Sequence, residues 1–201
     1  MKLVVDRVWK RLGARWVLRD ISAAFFEGVH VVQGPNGVGK TTLLRVIAQN
    51  AADRGDIAID PQAKIAWLAH DTGMYFDLTA LETLQFSARW LGQASETRAL
   101  SPVLERWSLN DFSHLRVRNL SRGQRQRLAL ARLDLWGRDA RVVCLDEPTT
   151  GLDTENCRLA IDAITRWAEG RVVLVVSHDE RLFSTGTRWT MVTGGALKAC
   201  S

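Results

Sequence analysis

Apolar positions along the chain follow two alternating spacings. Val29 to Gln33 is a short apolar run that enters a glycine-rich turn, and Thr41 to Gln49 follows with Leu43, Leu44 and Ile47 at helical spacing. That order predicts strand, loop and helix. Arg141 to Leu145 and Arg171 to Val176 are apolar and β-branched, as strands buried on both faces are. Between them, Thr154 to Ala168 has the periodicity of a helix that ends at Gly170. The alternation predicts an α/β core.

The pattern changes from about Gly73 to Asn119, where helical periodicity dominates. Thr79 and Glu82 have capping-box spacing, and Leu81, Leu84, Ala88 and Leu91 are expected on one helical face that stops at Gly92. Ser101-Pro102 is expected to open a second helix carrying Leu104 and Trp107. The expected organisation is one domain over 1–201, with a core of about 1–72 and 119–201 and a helical insertion of about 73–118.

At 201 residues, 46% hydrophobic and 24% charged, the chain suits a single domain with a substantial core. No stretch approaches the length of a spanning helix, and charges at Lys2 and Asp6 argue against a secretory signal, so a cytosolic protein is expected. Cys144, Cys157 and Cys200 are too dispersed for a disulfide frame or a zinc site, and Cys144 is expected in the core. Net charge is +5, but the arginines are spread along the chain, dense only from Arg116 to Arg127, and no nucleic-acid partner is expected.

Chemistry enters at Gly34-Pro35-Asn36-Gly37-Val38-Gly39-Lys40-Thr41-Thr42, which fits a phosphate-binding loop. A match of this form arises in roughly one of 150 random chains of similar length, so its strand-loop-helix setting matters. Glycines let the main-chain amides converge on a phosphate at a helix N-terminus. Lys40 adds a point charge toward β- and γ-phosphates, and the Thr41 hydroxyl suits Mg2+. Asp146 and Glu147 end an apolar strand, where adjacent carboxylates need a cation or water. Asp146 is placed to hold Mg2+, and Glu147 to orient and deprotonate a water. Ser121 precedes an arginine-rich helix, and its hydroxyl and the Gly123 amide can present donors to a phosphate.

With these residues in order, the chain resembles the ATP-binding subunit of ABC transporters over nearly its whole length. The resemblance rests on Gly34 to Thr42, Val142 to Glu147, Leu120-Ser121-Arg122-Gly123-Gln124, Thr150-Gly151-Leu152-Asp153 and Ser177-His178-Asp179. It implies a P-loop ATPase fold with a mixed-sheet core and ATP with Mg2+ as cofactors. By the resemblance, Ser121, Gly123 and Gln124 face the phosphate loop of a second copy, Asp153 ties the copies together, and His178 contacts the γ-phosphate. It further implies a homodimer and integral membrane partner subunits, with the chain peripheral on the cytoplasmic face of the inner membrane. Two positions depart from the family. Asp71, or alternatively His70, stands where a glutamine usually links nucleotide to membrane subunit, and Leu12 stands where an aromatic usually stacks on adenine, with Trp9 and Trp16 either substituting for it or serving in packing.

A narrower resemblance, through Leu78 to Phe86, His70 and Leu128 to Leu133, is to the haem-exporter ATPases of cytochrome c maturation. A generic drug or lipid exporter ATPase would share every catalytic residue. A soluble ABC ATPase acting on nucleic acid is the rival from another class.

Overall fold

Valine-rich runs make the centre of the molecule. In the computed structural model, which describes residues 2–192 and 196–200, they form β3 (Gly28–Gln33), β6 (Ala140–Asp146) and β7 (Val172–Val176). These are the middle of a six-stranded sheet of order β5-β6-β7-β3-β8-β9, with β5 at Lys64–Leu68, β8 at Thr187–Met191 and β9 at Leu197–Ala199. All pairings are parallel except β8 with β9, and Val31 lies opposite Val175 while Asp146 lies opposite Val176. Such strands are apolar on both faces because both faces are covered.

The alternation of side chains assigns each valine to one of two cores. Val142, Cys144, Val172, Leu174 and Val176 meet helix α1 (Lys40–Gln49) and a second sheet, antiparallel, of order β2-β1-β4. Its strands are β1 (Lys2–Leu12), β2 (Arg15–Phe26) and β4 (Arg54–Ala58). Val143, Leu145, Val173 and Val175 face the other way, onto α2 (Ala80–Trp90), α3 (Thr97–Arg106), α4 (Arg122–Trp136) and α5 (Thr154–Trp167). Cys144 lies in the core, where burial pushes its thiol up to about 12. Asp134 on α4 accepts from the indoles of Trp107 at 2.7 Å and Trp167 at 2.8 Å, so one carboxylate ties the ends of α3 and α5 to α4.

Two local expectations differ from the structure, and the sequence offered none for the antiparallel sheet. The second helix of the middle segment begins at Thr97 and carries Pro102 inside it. The carbonyl that loses its partner there is that of exposed Arg98, while Leu100, Val103 and Leu104 are buried, so burial outweighs the missing bond. On α2 the Thr79–Glu82 capping box forms, but the buried face is Ala80, Thr83, Leu84, Ser87 and Ala88, and Leu91 lies exposed past the helix end. Thr83 and Ser87 tolerate burial because each hydroxyl donates to the carbonyl four residues back, at 2.8 and 2.9 Å. The antiparallel sheet was not legible as strands, because register shifts between Val5 and Arg11 break the two-residue period that would reveal β1. Among the described residues, no helix is long and apolar enough to cross a membrane.

Candidate functional site

The loop from Gly34 to Gly39 leaves the C-terminal end of β3 and turns into α1. Gly39 caps that helix with φ of 115°, a left-handed backbone that a side chain disfavours. Lys40 is nearly buried, and its ammonium donates to the carbonyls of Gly34 at 2.7 Å and Pro35 at 3.0 Å. Burial lowers its proton affinity, and the carboxylates of Glu147 and Asp146 act in the opposite sense. The amine therefore spans the loop while facing the acidic end of β6.

Asp146 ends β6 at 3% exposure, and its Oδ2 is buried without a hydrogen-bond partner. An orphaned carboxylate oxygen in a phosphate cleft, with the Thr41 hydroxyl on the same cleft, fits a hard divalent cation. Among the described residues no group of three or more His, Cys, Asp and Glu gathers to hold a metal. A single buried carboxylate oxygen beside a threonine is a donor set that Mg2+ can use when phosphate oxygens and water complete its shell.

Glu147 has φ of 52°, a costly conformation for this residue type, and its amide is anchored to the Val176 carbonyl at 2.8 Å. From the other side, Gln126 on α4 donates to the Pro148 carbonyl at 2.9 Å. His178 follows β7, with Nε2 3.8 Å from the Glu147 carboxylate. Lys40, Thr41, Asp146, Glu147 and His178 thus line one cleft of about 480 Å³, whose lining also includes Leu12 and Val17.

His70 lines both that cleft and the adjoining one, whereas Asp71 lines only the adjoining one, with Arg122, Arg125, Asp146 and Glu147. Asp71 also accepts the Gly73 amide at 3.1 Å, which shapes its own turn. Ser121, Gly123, Gln124 and Asp153 do not line the Lys40 cleft. Ser121 and Gln124 form a reciprocal capping box at the start of α4, with bonds of 3.2 and 2.8 Å. Asp153 caps α5 by accepting the Asn156 amide at 2.8 Å, and this bond with those from the Asn156 side chain lowers its pKa. Gln126 and Val17 carried no sequence signal, since both matter through contacts between distant segments.

This cleft can now be compared with known proteins. The chain matches the ABC transporter family over residues 18–150. The protein belongs to that family. The chain is an ABC-type ATPase and binds ATP. It is 39% identical over 181 residues to the cytochrome c biogenesis ATP-binding export protein CcmA of Cereibacter sphaeroides, covering 89% of this chain and 83% of that one. The CcmA of Rhodobacter capsulatus is 37% identical over 179 residues, covering 88% and 80%. Among solved structures, an ATP-binding cassette in a dimeric post-hydrolysis state bound to ADP and Pi superposes with a TM-score of 0.84 over 98% of this chain and 96% of that one. Its 22% identity makes this a likeness of fold.

Proposed function

We propose that the protein is the ATP-hydrolysing subunit of a haem exporter serving cytochrome c maturation, acting as a head-to-tail pair of copies that drives a separate membrane subunit. The observation that carries the reading is the convergence of Lys40, Asp146, Glu147 and His178 on one cleft, with a buried Asp146 oxygen left unpaired. Similarity to proteins named for cytochrome c biogenesis supports the transport half.

In this reading the loop amides from Gly34 to Thr42 cradle the β-phosphate at the head of α1, and Lys40 exchanges its carbonyl partners for β- and γ-phosphate oxygens. Thr41 and Asp146 would hold Mg2+, with Asp71 as a further candidate, and the ion would supply neutralisation of the phosphate charge. A water oxygen bonds to the γ-phosphorus while Glu147 takes its proton, and the bond from that phosphorus to the bridging oxygen breaks, leaving ADP and phosphate. His178 donates to the γ-phosphate. Ser121, Gly123 and Gln124 of the partner subunit close over the same phosphate, and Asp153 lies along the contact. Losing the γ-phosphate then removes the contacts that hold the pair shut.

Residues 73–118 act as a helical insertion that meets the membrane subunit. Tyr75, Phe76, Phe86 and Trp90 support this: they are 46% to 78% exposed, and the Phe86 ring sits 5.6 Å from Tyr75 and 6.5 Å from Trp90. An exposed aromatic group of this size suits an amphipathic helix of a partner, and in this reading the chain sits peripherally on the cytoplasmic face of the inner membrane.

The test is Glu147→Gln. Turnover should fall roughly 100-fold or more with ATP binding retained, and a dimer should accumulate in size-exclusion chromatography with ATP. Unchanged turnover removes Glu147 from its role. Native membranes should yield the protein with a haem-binding membrane subunit, and a polyspecific exporter in its place overturns the haem assignment.

A further inference from the structure

We propose that Arg181 is a positioning residue for hydrolysis, acting through His178 by clamping the loop that carries this histidine to the first turns of α5. The inference rests on the ATPase reading and adds to it a residue outside the cleft.

The loop begins where β7 ends. Ser177 is fully buried, its amide donates to the Val32 carbonyl at 3.4 Å, and its hydroxyl accepts the Asp179 amide at 3.0 Å. His178 therefore stands between two pinned residues, with its imidazole half exposed. Asp179 caps the short 3-10 turn Glu180–Ser184, which Leu182 seats in the core.

Arg181 closes the clamp. Its Nε and Nη2 donate to the two oxygens of Asp179, each at 2.8 Å, and its amide donates to Oδ1 at 3.1 Å. The Asp179 side chain is only 14% exposed, so this pair is sheltered from water. Nη2 also reaches Cys157 Sγ on α5 at 3.1 Å. Cys157 is fully buried one turn after Asp153, with Sγ 3.6 Å from the Leu152 carbonyl oxygen. One guanidinium thus joins the His178 loop to the helix that Asp153 starts, and its planar fork fixes orientation as well as distance.

The turn that carries Glu147 is held independently, by its own amide on the Val176 carbonyl and by Gln126 on Pro148. Loosening Arg181 therefore moves the imidazole against a carboxylate that stays in place, now 3.8 Å away. A displacement of about 1 Å in a reacting constellation costs up to about 100-fold in rate. The phosphate loop is anchored on β3 and α1, away from the clamp, so nucleotide affinity is untouched.

Steady-state ATP turnover by the full chain with Mg2+ tests this as a double-mutant cycle between Arg181→Met and His178→Ala. Arg181→Met should lower kcat roughly tenfold and keep KM for ATP within about twofold. In the His178→Ala background the same substitution should change kcat by less than about twofold, because the group it acts through is gone. Asp179→Ala breaks the clamp from the other side, leaving a half-exposed arginine that water can solvate. It should reproduce both results, which keeps the cycle readable if Arg181→Met fails to fold. Unchanged kcat, a KM that rises by as much as kcat falls, or an equal loss in the His178→Ala background overturns the inference and leaves the ATPase reading intact. Full turnover in His178→Ala takes His178 out of the reaction and overturns both its proposed role and the inference.

Discussion

Burying Lys40 removes water from its ammonium, and two loop carbonyls at 2.7 and 3.0 Å with the nearby carboxylates offset that cost. Lys40→Ala should therefore weaken nucleotide binding, by about tenfold or more for a lost charge-assisted bond, as read by titration calorimetry; unaltered affinity would take Lys40 out of the site. His30 makes a second residue-scale prediction. The Trp189 indole donates to its Nδ1 at 3.1 Å, so Nε2 is the nitrogen that donates to the Phe26 carbonyl, at 2.7 Å, and the ring is held neutral. Burial pushes its pKa below the ordinary 6.5, more than the Phe26 carbonyl restores. A depressed folded value means that the contribution to stability is complete above the unfolded pKa and is lost as pH falls through the folded one. Urea midpoints should fall on acidification below about pH 6.5, and His30→Asn should flatten that dependence; an equal slope in both proteins would sink the claim. Asp146 and Glu147 were legible at this scale because two carboxylates after an apolar run are chemically conspicuous. The division between His70 and Asp71 was not, since it depends on which way a surface loop faces.

Helix α4 carries the clearest case of an element with two neighbours to satisfy. Its first turn presents Ser121 in a capping box that the Ser-Arg-Gly-Gln spacing already implied. What the spacing did not reveal is that Gly123 lies against the turn before α5, where an added Cβ would come within 2.8 Å of the Gly151 carbonyl oxygen. One turn later Gln126 holds the carbonyl of Pro148, beside the strained Glu147. The helix that faces the partner copy in the proposed dimer is thus fastened to the turn that carries Glu147, the proposed water-activating carboxylate. Gly123→Ala should cost about 1–3 kcal/mol of stability through the backbone shift it forces, measurable by urea unfolding, and should slow turnover while the isolated chain still binds ATP. A fully active variant would mean that the approach is relaxed at no cost. At the same scale, Pro102 shows why breaker residues mislead: a proline on the solvent side of α3 loses a bond at an exposed carbonyl, and Leu100, Val103 and Leu104 keep the helix in place.

Across the whole molecule the central sheet separates two cores, one shared with α1 and the antiparallel sheet and one with the four remaining helices. The first supports the phosphate loop, and the second supports the aromatic surface around Trp90, 78% exposed. Trp90→Asp should change folding stability by no more than about 0.5 kcal/mol, leave ATP binding as it was, and reduce recovery of the protein with its membrane subunit in pull-down from native membranes. Undiminished recovery would move the docking surface elsewhere. By itself the sequence determined the α/β core with its buried central strands, the glycine-rich loop between strand and helix and the acidic strand end, because burial on both faces and phosphate chemistry each demand particular residue types at short, regular spacing. Only the tertiary structure decided that β1 and β2 lie over the loop, that Leu12 and Val17 wall the cleft while Trp9 and Trp16 pack on each other, and that Gln126 reaches Pro148. Those outcomes turn on bulged strands and contacts between residues far apart in the chain, where no local period records which side chain meets which.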